Sequence, residues 1–256
     1  MGQAMLSAII SKGLASPASI TVSDKNNARL KQLKQDFGVY INDNNLNAII
    51  GGDTIILAVK PQNLDVVMSE IGGQLKPEQL VLSIIAGKNV ASLRQGLKHD
   101  AIVRAMPNTP AQIGMGVTVW TATDEVTEDQ RSAVSSILGA MGKEVYVADE
   151  SYIDMATAVS GSGPAYTFLF MESLINAAVE IGLPPEKAQE LVLQTVTGAS
   201  EYARQSDKGL AQLRQMVTSP DGTTAEALKV FEQGDLSELV KKAIVAAYKR
   251  AKELGN

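Results

Sequence analysis

Two stretches of this chain carry residues whose types and spacing could do chemistry. The first is Thr218-Ser219-Pro220-Asp221-Gly222-Thr223-Thr224. Pro220 and Gly222 suit a tight turn, and residues 223–233 read as a helix. The backbone N–H groups of Gly222, Thr223 and Thr224 then point outward at a helix N-terminus, a ready site for an anion such as a carboxylate. The plain alternative is an ordinary N-cap made by Ser219 or Thr223. The second stretch runs from Gly2 to Asp24, 22 residues apart. In a strand–GxGxxG–helix fingerprint the third glycine opens the helix, and an acid about 20 residues on meets the adenosine ribose of a dinucleotide. Gly2 fits the third glycine; the first two are not in the sequence. The alternative is a helix with a chance Gly2 and a turn-forming Asp24. Asp24 by itself suits the free 2′-hydroxyl of NADH. Ser23 and Lys25 beside it can instead receive the 2′-phosphate of NADPH, so NADPH is expected, with NADH usable. Lys25 could equally be a solvated charge near a helix start.

Elements must hold these residues in place. Residues 3–12 read as a helix with Ala4, Met5, Ala8 and Ile9 on one face. A β-branched run at 20–23 and a helix ending at Gly38 follow. Strands are expected at 54–59, 80–85, 102–106, 117–120 and 144–147. Pro61 opens a helix, and Thr127 with Gln130 forms a capping box for another. Strands alternating with helices imply an α/β doubly wound, parallel sheet. In such sheets ligands lie outside the carboxyl ends of the strands. The residues there are Ala58-Val59-Lys60-Pro61, Ala86-Gly87, and Asn108 within Met106-Pro107-Asn108-Thr109-Pro110. Small residues let a flat nicotinamide approach the backbone, although each run alone is compatible with plain loop chemistry. After about residue 150 the strand signals end. Long amphipathic helices at 164–181, 185–204 and 236–254 take over, and a domain boundary is placed near residue 149, giving domains 1–149 and 150–256.

Composition narrows the options. The chain has 256 residues, 45% hydrophobic and 20% charged, with net charge −5, which argues against nucleic acid or a membrane surface as partner. No apolar run of 18 residues predicts a membrane helix. The apolar start is short, broken by Gln3 and Ser7, and lacks a basic leader region, so it is not read as a signal peptide. Cysteine is absent and His99 is the single histidine, so no metal site is expected and a cytoplasmic location is. His99 lies in a polar stretch and reads as an exposed loop residue. Lys249, Arg250 and Lys252 read as a solvated helix face, Met155 and Met171 as core or interface filler.

The runs AVKPQ at 58–62, RAMPNTPA at 104–111, SGSGPAY at 160–166 and TSPDGTTAEAL at 218–228 occur in that order. In this combination the chain resembles the pyrroline-5-carboxylate reductases across essentially its whole length. The resemblance implies a Rossmann domain followed by an all-α domain that interlocks with a second subunit, as a dimer or higher homo-oligomer, each active site combining both subunits. It implies reduction of 1-pyrroline-5-carboxylate to L-proline by NAD(P)H. Under it the Thr224 hydroxyl meets the ring nitrogen as the catalytic contact, and Ser219, Gly222 and Thr223 complete the substrate site. Met1, Gly2, Ser23, Asp24, Lys25, Asn45, Ala58, Val59, Lys60, Pro61, Ala86, Gly87 and Asn108 form the cofactor set. SGSGPAY is assigned mainly to packing, with Pro164 starting a long helix. Two departures stand out. The family begins with a strand and a Gly-x-Gly-Asn-Met-Gly-like turn, of which Met1 and Gly2 are present here, so a sheet short of its first strand and weak dinucleotide binding are expected. Asp221 stands where the family commonly has glycine; its carboxylate should repel an anionic substrate, or have a small effect if it points to solvent. Two other readings stay open: an inactive truncated member acting as a dimerising helical module, and a related Rossmann oxidoreductase with another substrate.

Overall fold

The computed structural model describes residues 1–255. Helix α1 (Gly2–Ser11) comes first and buries Met5, Leu6 and Ile9. Each such side chain contributes about 1.5–3 kcal/mol when fully buried. Met5 and Ile9 join an apolar cluster with Leu80, Leu82, Val103 and Ala105, whereas Leu6 packs with Leu33 and Val39. One helix therefore covers two groups of strands.

The first group is β1 (Thr21–Ser23) and β2 (Tyr40–Asn42), paired in parallel and joined by α2 (Asn27–Phe37). Asn26 caps α2 through Ala28 N and Arg29 N, and the helix ends at Gly38. After α3 (Asn45–Ile49) the second group begins with β3 (Thr54–Leu57). It continues through α4 (Pro61–Ile71), β4 (Leu80–Ser83), α5 (Val90–Leu97), β5 (Ile102–Met106), β6 (Gly116–Ala122), α6 (Glu128–Gly139) and β7 (Gly142–Tyr146). These five strands run in the order β3-β4-β5-β6-β7. Among the described residues no strand joins β1 to β3, so each has one strand neighbour and one unpaired edge.

The expected doubly wound α/β sheet is present, with one reversal. β6 is antiparallel to β5, whereas the other pairings are parallel. Residues 107–115 between them hold only the short 3-10 turn Thr109–Ile113, too little for the crossover helix that a parallel return needs. His99 corrects an expectation. It is buried, not exposed, and its Nε2 lies 2.6 Å from the Gln79 carbonyl oxygen. Lys98 turns the chain with φ +51, and Asp100 takes the solvent-facing place in an ion pair with Arg94. His99 is left pointing inward, just ahead of the core strand β5.

The remainder is helical: α7 (Ser151–Ala156), a π-helical turn Thr157–Gly161, α8 (Gly163–Glu180), α9 (Pro185–Gln205), α10 (Leu210–Met216), α11 (Thr223–Gln233) and α12 (Leu236–Gly255). The chain forms two compact units, one from Met1–Ser162 with the end of α12 from Ala247, the other Gly163–Ala246. The domains read from the sequence, 1–149 and 150–256, differ from these units by α7, the π-helical turn and the end of α12. α7 belongs to the first unit because Asp154, together with Glu150 just ahead of the helix, pairs with Arg104 of β5. No described helix is long and apolar enough to cross a membrane.

Candidate functional site

In the first unit the carboxyl ends of the parallel strands gather the residues picked out by sequence. Met1 stands at the N-cap of α1 and makes no side-chain cap bond, so the first-turn N–H groups of α1 have no capping partner. A Cβ at Gly2 would lie 3.1 Å from the Cβ of Ala58, which brings the start of α1 against the end of β3. Ala58, Val59 and Lys60 are exposed there, and Pro61 begins α4.

The end of β1 is organised by a residue that sequence reasoning missed. Ser23 Oγ donates to Asn45 Oδ1 at 2.7 Å, and Asn45 Nδ2 donates to Glu70 Oε2 at 2.5 Å. Lys25 Nζ donates to Glu70 Oε1 at 2.9 Å. Glu70, on α4, thus holds both Lys25 and Asn45. Their hydrogen bonds, Lys25 first, hold its carboxyl below the usual glutamate range. Asp24 Oδ1 accepts from Asn26 N at 2.8 Å, closing the turn ahead of α2.

At the end of β5, Asn108 is engaged on both sides. Its Oδ1 accepts from Val117 N at 2.9 Å and its Nδ2 donates to the Ser160 carbonyl at 3.1 Å. Ala86 and Gly87 follow β4 and are half-buried. Arg104 is buried, with Nη1 2.7 Å from Glu150 Oε1, Nη2 2.7 Å from Asp154 Oδ1, and a buried Nε without a hydrogen-bond partner. Glu150 Oε1 also accepts from Val90 N at 2.8 Å. Neither Glu70 nor Glu150 carries a sequence signature. A single acidic residue on a helix face or in a polar loop has no periodicity or spacing that marks it. Among the described residues no group of three or more His, Cys, Asp or Glu is placed to hold a metal ion.

In the second unit the turn ahead of α11 brings Ser219, Gly222, Thr223 and Thr224 together. Gly222 is the N-cap, and no side chain caps α11. Gly222 N donates to the Ser219 carbonyl at 3.2 Å, so its N–H is used inside the turn. Thr223 and Thr224 remain as the leading N–H donors of the helix. A Cβ at Gly222 would collide with Ser219 Oγ, so any larger residue there would turn the Ser219 hydroxyl out of its present place. Asp221 takes φ +57, a left-handed conformation that aspartate tolerates better than most residues and glycine best. Ser219 and Asp221 are exposed and Thr224 is half-buried.

Comparison with known proteins is consistent along the chain. Residues 150–254 match the family described as pyrroline-5-carboxylate reductase dimerisation, and residues 1–87 match NADP oxidoreductase coenzyme F420-dependent. A pyrroline-5-carboxylate reductase of Synechocystis is 39% identical over 256 residues, covering 100% of this chain and 95% of the relative. That of Pseudomonas aeruginosa is 40% identical over 238 residues, covering 93% and 87%. Among solved structures, the Coxiella burnetii pyrroline-5-carboxylate reductase superposes with TM-score 0.91 at 39% identity, over 100% of this chain and 95% of that one. A Plasmodium falciparum pyrroline carboxylate reductase with NADP bound gives TM-score 0.91 at 31% identity, with the same coverage. A dinucleotide-type fold, a dimerisation-type helical unit and full-length relatives above 30% identity agree: the chain belongs to the pyrroline-5-carboxylate reductase family.

Proposed function

We propose that this chain reduces 1-pyrroline-5-carboxylate to L-proline by hydride transfer from NAD(P)H, with NADPH preferred, as a self-associated dimer or larger homo-oligomer. Membership of the family over the full chain supports the reaction. The turn ahead of α11 carries the substrate assignment, since an uncapped helix N-terminus with Ser219 in the turn before it is built for a carboxylate. The N–H groups of Thr223 and Thr224 and the Ser219 hydroxyl hold that carboxylate. The Thr224 hydroxyl accepts from the ring N–H of the protonated imine.

Residues at the strand ends suit a dinucleotide. The uncapped start of α1 at Met1 and Gly2 offers N–H donors to a pyrophosphate. Asp24 and Ser23 face the ribose, Lys25 takes a 2′-phosphate, and Asn45 holds Ser23 in place. Ala58, Val59, Lys60, Pro61, Ala86, Gly87 and Asn108 wall the cofactor along β3, β4 and β5. When bound, the reduced nicotinamide supplies the hydride. A cyclic imine is basic enough to be protonated near neutral pH, so the chain need not supply a strong acid, and its residues act mainly by orientation.

Thr224→Ala tests the assignment. A hydrogen bond to a charged group is worth roughly 1.5–3 kcal/mol, so kcat/KM should fall on the order of ten- to a hundredfold with circular dichroism unchanged. Unaltered kinetics would remove Thr224 from the site.

A further inference from the structure

The loop between β4 and α5, residues 84–89, holds Ala86 and Gly87 of the cofactor wall, and the last turn of α12 lies on it. Gly87 has φ +72, and a Cβ there would sit 2.8 Å from Leu254 Cβ and 2.9 Å from the Leu254 carbonyl oxygen. Only glycine both adopts this backbone and admits the helix end. Asn89 ties the two segments together. Its Oδ1 accepts from Ser92 N at 2.8 Å and caps α5. Its Nδ2 donates at 3.2 Å to the Gly255 carbonyl, one of the acceptors that a helix end leaves without an internal partner. Two more ties reach the loop from other elements. Lys88 Nζ pairs with Asp65 Oδ1 of α4 at 3.2 Å, and Val90 N donates to Glu150.

Leu254 is itself exposed, so this contact buries little apolar surface and adds little to global stability. Its effect falls on the position of the loop. We propose that Asn89, Leu254 and Gly255 form a clamp that fixes the 84–89 loop and thereby positions the nicotinamide for hydride transfer; this rests on the reductase reading above. None of the three is assigned to touch substrate or cofactor, so all are positioning residues acting through Ala86 and Gly87.

Asn89→Asp isolates the clamp. Aspartate keeps the cap on α5 but replaces the donor to Gly255 with a carboxylate facing a carbonyl. Leu254→Gly removes the side-chain carbon that meets Gly87. Both variants and the parent, as full chains, would be compared by thermal melting, by amide hydrogen exchange without cofactor, and by steady-state reduction of pyrroline-5-carboxylate. The clamp predicts an unchanged melt, faster exchange confined to residues 84–90, and a kcat lowered about three- to tenfold, the size of one neutral hydrogen bond. KM for the imine should not move. Unchanged exchange in the loop overturns the clamp, and faster exchange with unaltered kcat overturns its positioning role. A lowered melt with faster exchange across the whole unit makes the contact plain packing and also overturns the proposal. If the parent fails to reduce the imine with either nucleotide, the reductase reading fails. The clamp then stands only if loop exchange and NADPH affinity, titrated by fluorescence, change together in the variants.

Discussion

Lys25 is held by Glu70 in the structure and, on the proposed reading, turns to the cofactor when it binds. Its ion pair with Glu70 is exposed, and solvent screening leaves such pairs weak. A phosphate dianion would displace Glu70 readily. Lys25→Ala should therefore raise KM for NADPH about tenfold while changing KM for NADH much less. Glu70→Gln should act in the opposite sense, lowering KM for NADPH by releasing the lysine. Equal effects on both nucleotides would show that Lys25 does not meet the 2′-phosphate. Glu70 is held below its ordinary value of 4.5 by Lys25 and Asn45. Its depressed folded value means that the stability this pair contributes is present above about pH 4.5 and is lost as pH falls through the lower folded value, so the pair itself stays intact near neutrality. Lys25 and Thr224 could be named as candidates from the sequence because they sit in local runs, and Asn45 entered with the family resemblance. Glu70 was not, because its partners are 45 and 25 residues away and nothing local marks it. His99 was misread for a related reason. Polar neighbours suggested exposure, but Lys98 and Asp100 take the solvent and leave the ring inside.

Elements were legible where a cap or a long period announced them. Thr127 and Gln130 do form a capping box on α6, and α9, α11 and α12 fall where their apolar spacing put them. β2, α3 and α5 were not read. Three residues of strand and five of helix are too short to show a period, and α5 is recognised best by its Asn89 cap. The reversal at β6 was hidden because strand direction depends on the length of a connection rather than on the strand. The tie between β5 and α7 was equally hidden, although its energetics are plain. The Arg104 side chain is 4% exposed, and Glu150 and Asp154 engage its Nη1 and Nη2. Asp154→Ala would leave part of a buried guanidinium unpaired, at about 2–3 kcal/mol. Urea unfolding of the two proteins checks this. A difference below about 0.5 kcal/mol would show that water takes over from the carboxylate.

At the scale of the whole molecule, the second unit buries almost nothing of its own. Of the residues in α8, α9, α10 and α11, Ala188 and Val192 are buried, while Phe168 and Leu169 are 60% and 63% exposed. A helical unit with its apolar faces outward needs a partner, which agrees with the dimerisation family matched there. Phe168→Asp should shift the chain from dimer to monomer in sedimentation. Activity should fall with it if each site draws on both subunits, and a monomer with full activity would refute the shared site. In the first unit the edges of β1 and β3 are unpaired among the described residues, and on the proposed reading the start of α1 offers its N–H groups to the cofactor. The central claim is the reaction itself, and one assay reaches it most directly. The purified chain is mixed with pyrroline-5-carboxylate and NADPH, cofactor oxidation is followed by absorbance, and proline is quantified by mass spectrometry. One L-proline for each NADPH oxidised, with no oxidation when the imine is omitted, is the expected result. NADPH binding without imine-dependent oxidation, or oxidation that yields no proline, would contradict it.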